Sequence, residues 1–168
     1  MKSSAFKVIK NRRSVRKFKK NKISKKILSR LIEAARWAPS GLNNQPWKFK
    51  IVTSDGLKNK LGSLTSSKKI IKDADALICV FLDKKLSYNR DKDFMAIGAS
   101  IQNILLSARE LNVGTCWLGE ILNRKAQAGK VLEVPTNLEL CGVVALGYPI
   151  SFKNAKSSRI ATKKIIVK

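Results

Sequence analysis

The chain has 168 residues, is 44% hydrophobic, and carries a formal charge of +24 at pH 7 from 35 Lys and Arg against 11 Asp and Glu. That apolar share supports one globular domain with a core and excludes a disordered basic tail. The absence of histidine weakens any hydrolase built on a Ser–His or Cys–His pair, and the three cysteines lack zinc spacing.

In chain order, a first helix is expected through Ala5, Phe6, Val8 and Ile9, ending before an arginine cluster. Ser24 then caps an amphipathic helix whose Ile27, Leu28, Leu31, Ile32, Ala35 and Ala38 recur at helical spacing, and Pro39 stops it. Trp47–Val52 alternates apolar and basic residues, as a strand with one buried face does, and places Trp47 in the core. One helical region is expected from Leu57 to Ile71. Ala76–Leu82 is apolar throughout and reads as a central strand covered on both faces.

The longest helix is expected from Asp93 to Leu111, with small residues Gly98, Ala99 and Ser100 that permit a close helix approach. Asn112-Val113-Gly114 supplies turn chemistry after it. A short extended piece Thr115–Leu118, a weaker helix Arg124–Leu132 and a strand Leu140–Leu146 follow, and then a basic tail after Pro149. Cys79 and Cys141 read as buried strand thiols, while Cys116 falls in a segment assigned below to a ligand site. This alternation indicates an α+β sheet protein.

No apolar run is long enough to cross a bilayer, and no apolar leader follows the first lysines, so no membrane insertion and a cytoplasmic location are expected. The lysines are scattered, densest from Lys17 to Lys26, and aromatics are only 7%. A solvated basic surface with weak, salt-sensitive polyanion binding is expected, with no specific nucleic-acid recognition.

Two stretches carry the chemistry. Arg12-Arg13-Ser14-Val15-Arg16 concentrates guanidinium forks and a hydroxyl suited to a phosphate monoester. Ala38-Pro39-Ser40-Gly41-Leu42-Asn43-Asn44-Gln45-Pro46-Trp47 is rich in hydrogen-bonding groups and closed by an aromatic, which suits a flat polar ring. On the residues alone, the arginines also fit a solvated basic turn, and Asn43, Asn44 and Gln45 fit a loop satisfying its own backbone.

Taken with Ile97–Ala108, Val113–Gly119 and Val144–Pro149 in the same order, these segments resemble the nitroreductase family of FMN-dependent oxidoreductases. The resemblance implies an α+β fold with a mixed, mainly antiparallel sheet flanked by helices. It implies an intertwined homodimer with FMN at the subunit interface and the tail from 150 to 168 docking on the partner. By position, Arg12, Ser14 and Arg16 would hold the phosphate, ribityl chain and pyrimidine side of FMN, with Arg13 contributing backbone or backing contacts. Pro39, Ser40, Gly41 and Asn43 would reach the ring from the other subunit. Leu118, Gly119 and Glu120 would lie beside the ring with a backbone amide at N5, and Lys156 and Arg159 would return from the tail to the phosphate.

With no Gly-x-Gly-x-x-Gly unit after a strand, NAD(P)H is expected as a transient electron donor. The short stretch between Val52 and Ala76 leaves little room for a lid, which favours small flat acceptors such as nitroaromatics or quinones. No metal site is expected. The competing readings are reductive dehalogenation or flavin fragmentation on the same fold, flavin binding without turnover, and a basic nucleic-acid-binding domain.

Overall fold

The computed structural model describes residues 4–152 and 158–167. Its centre is strand β2, Ala76–Asp83, every residue of which is buried. A strand apolar on both faces needs cover on both, and the chain supplies it. Strand β1 (Trp47–Val52) pairs antiparallel along one side of β2. Strand β4 (Leu138–Gly147) pairs along the other, and β3 (Gly114–Leu118) lies beyond it, giving the order β1-β2-β4-β3. These strands are antiparallel throughout; among the described residues the parallel contribution is a single bridge between Ser14 and Thr115.

One face is covered by helices α2 (Lys25–Arg36) and α5 (Arg90–Glu110). Leu28, Leu31 and Ala35 of α2 and Ile97, Ile101 and Ile104 of α5 pack there with Ile78, Val80 and Leu82. Ser24 caps α2 by accepting from the Ile27 amide at 3.3 Å, as its sequence position predicts. Helix α5 starts three residues earlier than the pattern indicated, because Asn89 caps it through the Lys92 amide at 3.1 Å. Asn112, at φ 57°, closes it in the left-handed conformation. Trp47 is buried in this layer, as expected.

The other face is covered by α3 (Asp55–Gly62), α4 (Lys68–Asp73) and α6 (Lys125–Val131). Their Leu61, Ile71 and Ala128 meet Leu77, Cys79 and Phe81. The single helical region expected from Leu57 to Ile71 is thus two helices. The serines and threonine from 63 to 67 break it, since such side chains bond locally rather than continue a helix. The Glu120 carboxylate accepts from the Ser66 amide at 3.0 Å and from the Thr65 hydroxyl, holding this turn in place.

Two further details depart from the sequence pattern. Helix α1 (Ala5–Asn11) ends just before Arg12, as expected, but buries none of its residues, although Phe6, Val8 and Ile9 are apolar. In β1 the alternation fails at Ile51, which is 39% exposed because β1 is an edge strand, while Lys50 is half-buried and donates to the Leu132 carbonyl. All three cysteines are buried and free. Burial pushes the Cys79 thiol up to about 12 and Cys141 up to about 11. Among the described residues, no helix is long and apolar enough to cross a membrane.

Candidate functional site

The arginine segment runs as a short ribbon between β3 and the end of β4. The Val15 amide donates to the Thr115 carbonyl at 2.8 Å, Phe18 bridges Pro149, and the Lys19 amide donates to the Tyr148 carbonyl at 2.8 Å. Val15 and Phe18 turn inward as anchors. A Cβ on Gly114 would lie 2.9 Å from the Val15 side chain, so this approach needs glycine there. The other side of the ribbon presents Ser14 and Arg16, both exposed, beside half-buried Arg12 and Arg13.

Arg13, Ser14, Arg16 and Lys17 line a cleft of about 460 Å³ with Ile150 and Phe152, and no Asp or Glu is among its lining residues. Arg12 sits next to this cleft's residues, and its guanidinium is pushed below its ordinary value by burial and then by the charges of Arg159 and Arg13. Cations crowded together without a carboxylate are what an anion would relieve. Arg13 itself is turned back, donating to the carbonyls of Lys10 at 2.6 Å and Arg12 at 2.8 Å, where it closes the end of α1. Arg159 lies exposed in the tail, close enough to Arg12 to repel it; Lys156 lies outside the described residues.

At the end of β3, Leu118 is buried, whereas Gly119 and Glu120 are exposed. A Cβ on Gly119 would meet nothing within 4 Å, so the space over this backbone is open. The Glu120 carboxylate is engaged by Thr65 and Ser66, which leaves its main chain for any ligand. Cys116 lies beneath, where burial raises its thiol and Arg16 and Arg12 partly offset this.

The second stretch forms a strained loop. Leu42, Asn43 and Gln45 have φ of 54°, 52° and 47°, left-handed values that L residues rarely adopt. Within it the Gln45 amide donates to Ser40 Oγ at 3.0 Å and Gln45 Nε2 to the Asn43 carbonyl at 3.3 Å, so part of the loop does satisfy itself. Pro39 and Asn43 are exposed, and Ser40 and Gly41 are half-buried. Asn44 points away, to Asp93 at 2.8 Å and to the Leu86 carbonyl at 3.0 Å.

One chain does not bring the two stretches together. The loop is tied to the start of α5 through Asp93, and the arginine ribbon is tied to its end, where Arg109 Nε donates to the Asn11 carbonyl at 3.3 Å. Asp93 and Arg109 lie 16 residues apart on α5, which separates the two ties by about 24 Å. Sequence reasoning missed Tyr88 and Asp93, which support the loop; an acid in the first turn of a helix looks like ordinary dipole compensation and gives no signal of this role.

The model of the Nitroreductase family matches residues 9–67 and 63–148. The chain belongs to the nitroreductase family. This nitroreductase-family chain is 35% identical over 147 residues to an Archaeoglobus fulgidus protein provisionally named NADH dehydrogenase/NAD(P)H nitroreductase, covering 86% of this chain and 84% of that one. It is 29% identical over 169 residues to the iodotyrosine deiodinase of Thermotoga neapolitana, covering 86% and 88% respectively. Its fold matches the crystal structure of a provisionally named nitroreductase from Desulfovibrio desulfuricans in complex with FMN. The TM-score is 0.94 and the identity 34%, over 100% of this chain and 98% of that one.

Proposed function

We propose that this nitroreductase-family protein is an FMN-dependent NAD(P)H oxidoreductase that works as a homodimer. The observation that carries the reading is the placement of two complementary half-sites at opposite ends of α5. Two copies packed with their long helices antiparallel would bring the loop of one to the arginine ribbon of the other. Several surfaces support such packing. Phe6, Ile9, Trp37 and Met95 are 50–74% exposed on α1, at the end of α2 and on α5. Gly98 has open space where a Cβ would stand. The tail's Ile160, Ile165, Ile166 and Val167 are also exposed, as apolar residues that a partner subunit covers would be in a single chain.

The residues present fit FMN. Arg12, with Arg159 close by, and Arg16 in the adjoining cleft with Ser14 would hold the phosphate. The open backbone at Gly119 leaves room for a flat ring against a main-chain amide. Pro39, Ser40, Gly41 and Asn43 of the second copy would close over that ring. The bound flavin supplies two-electron hydride chemistry; the protein supplies binding, orientation and the electrostatics around the ring. The open space over Gly119 leaves room for NAD(P)H and a small electrophilic acceptor to visit in turn.

The test is to load the purified protein with FMN, mix it anaerobically with NADH or NADPH, and follow the flavin absorbance. Bleaching, followed by recovery on adding a nitroaromatic or a quinone, is expected. A protein that binds no flavin, or a bound flavin inert to both donors, rejects the reading. The similarity to an iodotyrosine deiodinase favours one second reading, reductive dehalogenation. Turnover of iodotyrosine by the reduced protein, with iodide release and no nitroaromatic reduction, would select it.

A further inference from the structure

We propose that Asp93 is a positioning residue for the flavin, one that fixes the Ser40–Gln45 loop in the shape that meets the ring. The inference rests on the FMN reading above. Asp93 is fully buried in the first turn of α5. One carboxylate oxygen accepts from Asn44 Nδ2 at 2.8 Å. The other accepts from the Ser87 hydroxyl at 2.7 Å, the Tyr88 amide at 3.2 Å and the Asn89 amide at 3.4 Å. A single buried charge thereby joins the strained loop to the turn between β2 and α5.

Ordinary structural needs do not account for this charge. The helix start is already capped by Asn89, and a buried carboxylate is costly where packing alone is required. Its hydrogen bonds outweigh the desolvation: burial raises the carboxyl, yet the donors led by Ser87 and Asn44 bring it below its ordinary value. The amide of Asn44 is used on one side only, since its Oδ1 is buried with no partner among the described residues while Nδ2 serves both Asp93 and the Leu86 carbonyl. What the pair secures is a backbone with three non-glycine residues in the left-handed region. That conformation persists only where its surroundings impose it, and on the present reading this stretch covers the flavin.

The experiment compares FMN and riboflavin affinities of the whole protein by fluorescence titration, well below the melting temperature. Asp93→Asn removes the charge and puts an amide donor opposite Asn44 Nδ2, so Asn44 keeps a bond to it only by turning its amide over and giving up the Leu86 carbonyl. The dissociation constants of FMN and riboflavin should both rise about tenfold or more, with their ratio unchanged, because the phosphate is gripped elsewhere. Should Asp93→Asn fail to fold, Ser87→Ala removes one of the four donors and should weaken both flavins a few-fold.

A merely structural Asp93 would lower the melting temperature and leave both affinities unchanged, which overturns the proposal. Loss confined to FMN overturns it as well. A wild-type protein that binds neither flavin overturns the FMN reading itself, a distinguishable failure.

Discussion

The phenol oxygen of Tyr88 lies 1.8 Å from where the Cβ of an alanine at position 41 would stand, so Gly41 and Tyr88 occupy adjoining space that only glycine leaves open. Tyr88 is 43% exposed, so a displaced ring would move toward solvent and not into the core. Gly41→Ala is therefore expected to cost about 1 kcal/mol, the low end of an overpacking penalty. In a Tyr88→Ala background the same change should cost almost nothing. Urea denaturation of the four proteins in this cycle checks the coupling; equal costs in both backgrounds would show that the two residues do not compete for space.

Arg12 and Arg16 should discriminate between flavins that differ only in the phosphate. Removing both by Arg12→Ala and Arg16→Ala should weaken FMN by at least a hundredfold, at roughly 1.5–3 kcal/mol for each charge-assisted bond. Riboflavin should be affected far less. Isothermal titration with the two ligands measures the difference, and parallel losses would place the arginines elsewhere than at the phosphate.

Glu139 gives the molecule an acid-sensitive joint. It accepts from Arg90 at 2.8 and 2.9 Å and from Lys125 at 2.5 Å, and the Arg90 hydrogen bonds, aided by Lys125, hold its carboxyl down at about 2 against an ordinary 4.5. A depressed folded value means stability that is present above pH 4.5 and lost as pH falls toward 2. Urea midpoints measured across that window should fall less steeply for Glu139→Gln than for the wild type. Identical slopes would remove this residue from the acid response.

The cysteines should be silent in the native protein. All are buried, and burial suppresses the thiolates of Cys79 and Cys141, with values of about 12 and 11. A thiol reagent at pH 8 should react only at the rate of unfolding, and fast labelling of any one would contradict the packing described.

Much of this architecture was legible in the residues. β1 has the bounds its alternation indicated, and β2 and α2 were readable from apolar periodicity, because burial on both faces or on one stripe leaves a direct imprint. The break between α3 and α4 was not legible, since the Ser-rich turn depends on a distant carboxylate, Glu120, more than fifty residues later. The segments from Arg12 and from Pro39 were visible as chemistry. Their separation along α5 was implied only by the family resemblance, which put the loop on the other subunit, because it depends on which helix end each segment contacts. Asp93 escaped notice for a similar reason: its partners come from three positions just before it and from Asn44, a long-range contact that no local pattern encodes.

The central claim is a flavin pocket assembled from two copies of the chain, and mixed dimers test it most directly. A chain carrying Arg12→Ala with Arg16→Ala and a chain carrying Asn43→Trp would each form homodimers with both sites damaged. Refolded together and separated by distinct affinity tags, the heterodimer should bind one FMN tightly, because one of its two sites draws an intact arginine ribbon from one chain and an intact loop from the other. A heterodimer that binds no more FMN than its parents would contradict the shared pocket.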